Sequence, residues 1–190
     1  MMIHLLRHGR TYANEKGLYY GSTDLPLSEG GIAELAALKT SLRFPTAEKY
    51  VTSGLRRAME TLRILYGREP DRKIPELNEF DFGEFEMKSH EELKILPDYL
   101  RWISGDENSS CPNGESKSRF VERILRGFEI VCGSEADDVV VVCHGGVIGT
   151  LMETFFPGQK EHEYAWIPDC GRGYSIEITG GRPNRYQRIG

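Results

Sequence analysis

Four consecutive valines, Val139 to Val142, lie between Asp138 and Cys143. β-Branched side chains are stiff at χ1 and favour extended backbone, so this run reads as a strand. Being apolar at odd and even positions alike, it has to be covered on both faces, as strands of parallel sheets are. The run stops at His144-Gly145-Gly146. A second apolar run, Met2 to Leu6, is too short for a helix and stops at Arg7-His8-Gly9. Tyr50 to Ser53 resembles another short strand, and Tyr174 to Thr179 alternates as a later one would.

Helices are expected between these strands. Ser28 is a candidate N-cap, with Ile32, Leu35, Ala36 and Leu42 marking a buried face. Leu55, Met59, Leu62 and Leu65 describe a helix ended by Gly67. Val121, Ile124, Leu125, Phe128 and Cys132 give the clearest amphipathic helix, closed by Gly133, and Val147 to Phe156 gives another, stopped by Pro157-Gly158. Strands alternating with helices predict an α/β domain, a three-layer α/β/α sandwich around a mostly parallel sheet. The more polar stretch from about Pro75 to Glu115 interrupts this alternation. Its part from about 84 to 115 is expected to be a helical insertion over the pocket, within one domain spanning 1–190.

Composition narrows the function classes. With 190 residues, 39% hydrophobic and 28% charged, the chain can bury an ordinary core. A net charge of −5 and no Lys/Arg-rich tract argue against nucleic-acid binding. No apolar run approaches a membrane span and the N-terminus lacks a secretory signal, so a cytoplasmic protein is expected. Cys111, Cys132, Cys143 and Cys170 show no zinc spacing and read as reduced thiols.

Ligands of open α/β sheets gather beyond the strand carboxyl ends, where Arg7, His8 and His144 fall. A histidine there can be nucleophile, acid/base catalyst or metal ligand. Gly9 would let an incoming group approach its ring, and Arg7 offers bidentate donors to phosphate or carboxylate. If the two strands are neighbours, His8 and His144 emerge side by side. No spacing supplies further metal ligands. Arg56 and Arg57 open a helix where cations are unfavourable without an anion, which marks one of them as functional. In Glu79-Phe80-Asp81-Phe82-Gly83-Glu84-Phe85-Glu86 the phenylalanines would partly desolvate the carboxylates, suiting a proton donor. Composition does not choose among Glu79, Asp81, Glu84 and Glu86.

Together these stretches resemble the histidine phosphatase superfamily, phosphoglycerate-mutase-like branch. The likeness rests on Arg7-His8-Gly9 with Thr11 and Asn14, on Gly21, and on Leu27-Ser28-Glu29-Gly30-Gly31. It continues through Ser53-x-Leu55-x-Arg57-Ala58-x-x-Thr61, Glu79-x-Asp81-Phe82-Gly83-x-Phe85-Glu86, Asn113-Gly114-Glu115-Ser116 and His144-Gly145-Gly146. The resemblance implies metal- and cofactor-free hydrolysis of a small phosphomonoester through a phosphohistidine. His8 would be the nucleophile and Glu79 the acid/base, with Arg7, Arg57 and His144 holding the phosphoryl oxygens. Asn14, Gly21 and Gly145 would complete phosphate binding.

Mutases of the family carry an inserted basic segment, and Trp102 to Ser116 offers no comparable Arg pair, so hydrolysis is favoured. The string from Glu76 to His90, with Met87 where most relatives have Gly, is similar to α-ribazole phosphatases, which implies α-ribazole 5′-phosphate as substrate. Gly149 departs from the Arg found in many relatives. Alternatives are a broad sugar-phosphate or phosphoprotein phosphatase, a phosphoglycerate mutase, and a non-catalytic phospholigand-binding module. Tyr19, Tyr20 and Trp102 are candidates for an aromatic wall. His4 is expected to be packed, His90 to start an exposed helix and His162 to lie in a polar loop. Oligomeric state stays open.

Overall fold

The computed structural model describes residues 1–105, 109–160 and 163–190, so His162 lies outside the described residues. Among these, the four valines occupy the middle of a six-stranded sheet. Its strands are β1 (Met2–Arg7), β2 (Lys49–Thr52), β3 (Arg72–Lys73), β4 (Asp138–Cys143), β5 (Gly173–Thr179) and β6 (Arg182–Ile189), in the order β3-β2-β4-β1-β5-β6. The first four in that order are parallel, and β5–β6 is an antiparallel hairpin along β1. The helices are α1 (Tyr12–Lys16), α2 (Glu29–Ser41), α3 (Arg56–Tyr66), α4 (His90–Leu93), α5 (Pro97–Ile103), α6 (Lys117–Cys132) and α7 (Gly145–Phe155).

Alternation along β4 sorts the core into two layers. Val139, Val141 and Cys143 pack with Ile124, Phe128, Val147 and Leu151 of α6 and α7. Val140 and Val142 point the other way, into Leu35 of α2 and Leu62 and Leu65 of α3. Burial of each such side chain stabilises by roughly 1.5–3 kcal/mol. The three-layer α/β/α fold is therefore present.

Two helix faces differ from the periodicity. On α2 the buried residues are Gly31, Leu35 and Leu38, while Ile32 is 45% exposed. A Cβ on Gly31 would lie 2.2 Å from the Arg10 carbonyl oxygen, so the helix docks on that glycine and turns Ile32 and Ala36 outward. On α6 the buried set is Phe120, Ile124, Gly127, Phe128 and Val131, with Val121, Leu125 and Cys132 only half-buried. Gly127 again allows the close approach, here to Leu77. Gly67 ends α3 in the left-handed region at φ 69°, whereas Gly133 follows α6 at φ −76° without that cap.

β3 and β6 add to the strands expected from sequence. β6 has few buried residues, and its signal is the turn Gly180-Gly181, both at positive φ as a two-residue hairpin loop requires. The described part of the 84–115 stretch contains α4 and α5. It contributes Phe85, Leu93 and Tyr99 to the core, and Trp102 packs edge-on to Tyr19 and Phe82. His4 is buried with Nδ1 2.8 Å from Ser175 Oγ, and His90 is the exposed first residue of α4.

Met87 adopts φ 60°, a region that favours glycine. Its N–H donates to the Tyr19 carbonyl at 2.7 Å, while Tyr19 N–H donates to Lys88 at 2.9 Å. The left-handed residue makes the corner that holds Tyr19 in place. Met87→Gly relieves about 1–2 kcal/mol of left-handed strain and gives back about 0.5–1 kcal/mol as chain entropy. Urea denaturation is therefore expected to show the variant equally or slightly more stable. A clear loss of stability contradicts the strain assignment.

Candidate active site

The β1–β4 register aligns Arg7 with Cys143, so the next residues, His8 and His144, stand side by side at the carboxyl edge. Their ring centroids are 5.2 Å apart. β2 flanks β4 on its other side, which brings Ser53 and the start of α3 to the same place. His8 and His144, expected to emerge side by side, do so.

Hydrogen bonds fix both tautomers. His8 Nδ1 lies 2.7 Å from the Gly9 carbonyl, which can only accept, so Nδ1 carries the proton and Nε2 keeps its lone pair. Arg57 Nε can only donate, and it donates to His144 Nδ1 at 3.3 Å. His144 Nε2 therefore carries the proton and donates to Ser53 Oγ at 2.8 Å. Burial, then the charges of Arg57 and Arg7, hold His8 well below the ordinary imidazole value. Burial, then Arg57, His8 and Arg7, do the same to His144.

Arg57 is completely buried. It donates to the carbonyls of Thr23 at 2.9 Å and Gly21 at 2.7 Å, and its guanidinium lies 4.7 Å from the Tyr20 ring centroid. Arg56 is exposed and paired with Glu60, while Asp24 Oδ1 caps the Arg56 N–H at 2.6 Å. The helix start is thus relieved by a protein carboxylate, and of the two arginines only Arg57 reaches the histidines. Arg7 Nη1 donates to Pro168 at 2.8 Å, but Arg7 Nε is buried without a partner. It lies beside the first turn of α7, within 3.1 Å of where a Gly145 Cβ would be.

Above the histidines opens a cavity of about 430 Å³. Arg7, His8, Asn14, Glu79 and Gly145 line it; Arg57 and His144 do not, lying beneath its floor. Asn14 Oδ1 accepts from Thr11 N–H and from Tyr20 O–H, leaving its Nδ2 as the remaining donor. Tyr19, Tyr20, Phe80, Phe82, Trp102 and Phe120 form an aromatic wall, wider than the expected three residues.

Gly21 is not where phosphate binding would need it. Its N–H donates to Glu86 at 2.8 Å, its carbonyl accepts from Arg57, and a Cβ would overlap the Phe80 carbonyl oxygen at 1.6 Å. Gly9 likewise does not open the ring to a ligand. The space its missing side chain leaves is filled by Leu35, 2.5 Å from where a Cβ would lie, and its N–H donates to Thr61. Of the four acidic candidates only Glu79 lines the cavity. Glu86 gathers the N–H groups of Gly21, Ser22 and Thr23, Asp81 accepts from Ser22 and Gly83, and Glu84 accepts from Asn113.

Glu79 is held by its Oε1 accepting from Phe80 N–H at 3.0 Å and Oε2 from Gly146 N–H at 2.9 Å. Ser53, Thr61 and Gly146 stand in the motifs that carry the family resemblance, and their contacts give each a role: Ser53 Oγ meets His144 Nε2, Thr61 Oγ1 accepts from Gly9 N–H, and Gly146 N–H donates to Glu79. Gly149 and Thr150 also line the cavity, one turn beyond Gly145 and Gly146, a spacing that helix geometry makes readable. Among the described residues no three His, Cys, Asp or Glu side chains cluster as metal ligands, and no helix is long and apolar enough to cross a membrane.

Residues 3–187 match the histidine phosphatase superfamily (branch 1), and the chain belongs to that family. It is a phosphatase. The adenosylcobalamin/α-ribazole phosphatase of Salmonella typhimurium is 36% identical over 186 residues, which cover 95% of this chain and 92% of that protein. The α-ribazole phosphatase of Shigella flexneri superposes with a TM-score of 0.84 at 30% identity, covering 96% of this chain and 93% of that one. A phosphoglycerate mutase from Thermus thermophilus gives 0.77 at 30% identity, with coverage of 100% and 99%.

The buried neutral histidines set an acid limit on stability. Both have folded pKa values below the unfolded value of about 6.5, so between those limits the unfolded chain binds more protons. Stability is complete above that pH and falls as pH drops through the window, by about 1.4 kcal/mol per pH unit for each histidine. Urea midpoints measured from pH 7.5 to 5.5 should decline, with a shallower slope in His8→Gln. A flat profile contradicts the neutral assignment.

Proposed function

We propose that this phosphatase hydrolyses α-ribazole 5′-phosphate through a phosphohistidine on His8, acting in the cytoplasm during assembly of the cobalamin nucleotide loop. The observation that carries the chemistry is the pinned tautomer of His8. With Nδ1–H held by Gly9 and protonation suppressed by burial, Nε2 offers a lone pair at the cavity floor.

In the first step Nε2 forms the N–P bond as the ester P–O bond breaks, and Glu79 gives its proton to the departing oxygen. In the second, water attacks phosphorus, the N–P bond breaks and Glu79 takes the water's proton, which restores neutral His8 and free phosphate. Arg7 Nε, the Gly145 amide and Asn14 Nδ2 are the donors this reading assigns to the phosphoryl oxygens, with the Arg57 charge and His144 ring beneath the cavity. The substrate assignment draws on the two relatives named for α-ribazole phosphatase activity and on the aromatic wall, which suits a planar base. Four free cysteines fit a reducing compartment.

Acid-labile, alkali-stable label on His8 is expected after rapid quench with 32P-labelled substrate, and none in His8→Ala. Across α-ribazole 5′-phosphate, ribose 5-phosphate and 3-phosphoglycerate, the first should have the highest kcat/KM. Equal or better turnover of either of the others removes the substrate assignment, while absence of label removes the covalent mechanism.

Gly146 gives a separate check on Glu79. A Cβ there would lie 2.4 Å from Glu79 Oε1, so Gly146→Ala must push the carboxylate aside while improving helix propensity. The expected outcome is a kcat lower by about 10- to 100-fold with unchanged or higher thermal stability. Retained activity contradicts the acid/base role.

A further inference from the structure

We infer that Arg123 and Glu115, which do not line the cavity, are positioning residues that set the acid/base carboxylate. This rests on the proposed role of Glu79. The guanidinium projects from α6 into the chain that carries Glu79, and every one of its donor nitrogens is engaged. Nη1 donates to the carbonyls of Glu76 at 2.8 Å and Asn78 at 2.9 Å, and Nη2 to that of Glu79 itself at 3.2 Å. Nε and Nη2 complete a two-pronged bond to Glu115, at 2.9 Å to Oε1 and 2.8 Å to Oε2.

Glu115 closes the other side. Its N–H donates to the Asp81 carbonyl at 2.9 Å, and its Oε2 accepts from Asp81 N–H at 3.4 Å. The backbone is therefore gripped both before Glu79 and two residues after it. The pair is largely covered, with side-chain exposures of 21% for Arg123 and 12% for Glu115, so it is not a solvated surface bridge. A planar guanidinium can hold three carbonyls and a carboxylate at once, which an ammonium on a flexible stem cannot. The clamp also ties the acid to the cavity wall, because the Arg123 guanidinium lies 5.3 Å from the Phe120 ring centroid and Phe120 lines the cavity.

Acting through a proton donor has a signature that simple loss of folded protein lacks. Protonation of the leaving oxygen matters greatly for an alkoxide and little for p-nitrophenolate, which departs readily as an anion. Arg123→Lys and Glu115→Gln are each expected to lower kcat/KM for ribose 5-phosphate by about 10-fold or more, and for p-nitrophenyl phosphate by less than about 3-fold. In a Glu79→Gln background neither substitution should lower kcat/KM for ribose 5-phosphate further, since the group being positioned is gone.

Equal losses on both substrates, or full additivity with Glu79→Gln, overturn the inference. Should Arg123→Lys not fold, Glu115→Gln carries the same comparison. If Glu79→Gln alone lowers kcat/KM equally for the two esters, the acid role of Glu79 has failed, and with it the premise. If Glu79→Gln discriminates between them and the clamp variants do not, the proposed function stands and the clamp is refuted.

Discussion

The parallel, in-register pairing of β1 with β4 is the constraint on which the site depends. Two segments more than a hundred residues apart in the chain each finish in His-Gly, and only this register sets both histidines at one sheet edge. A slip of one residue would turn every side chain of a strand to the opposite face. Val140 and Val142 would then leave the α2–α3 layer, and His8 would no longer face His144. The burial that stabilises the sheet and the geometry that assembles the histidines are thus the same fact.

That edge gathers cations and keeps their charge available. Burying a guanidinium without partners is costly, yet a carboxylate partner would cancel the field an oxyanion needs. The chain satisfies Arg57 with two carbonyls, an imidazole nitrogen and the face of Tyr20, and gives Arg7 the carbonyl of Pro168. Among the described ion pairs neither arginine has a carboxylate. Neutral acceptors quench the hydrogen-bonding demand and leave the charge, which adds to burial in keeping both imidazoles neutral.

What the sequence reveals of this arrangement follows from how local each signal is. Runs of β-branched residues ending in His-Gly are local, so the central strands and their carboxyl-edge residues can be read directly. Gly67 at a helix end is local too. The buried faces of α2 and α6 depend on where another chain segment approaches, and Gly31 and Gly127 decide that by having no side chain. Gly9 illustrates the same limit, since no pattern reveals whether a missing Cβ admits a ligand or Leu35. The choice of Glu79 over Asp81, Glu84 and Glu86 belongs to the same class, because it is made by the α7 amide that receives it. β6 faces solvent over most of its length and carries too little apolar pattern to announce a strand.

The site divides into a floor and a wall built from different kinds of segment. The floor comes from strand ends and helix starts that are locked into the sheet. The wall comes from Phe80, Phe82 and Trp102, borne on the stretch that interrupts the strand–helix alternation, from Phe120 in the first turn of α6, and from the glycine face of α7. Glycine inside a helix is less favourable than alanine by about 1 kcal/mol, so Gly149, which is both interior to α7 and cavity-lining, trades helix stability for room. A phosphatase and a phosphoglycerate mutase both superpose on this chain, so the architecture alone does not select the ester. Selection has to reside where the contacts with the leaving group are made, on the aromatic wall and the bare helix face opposite the histidine floor.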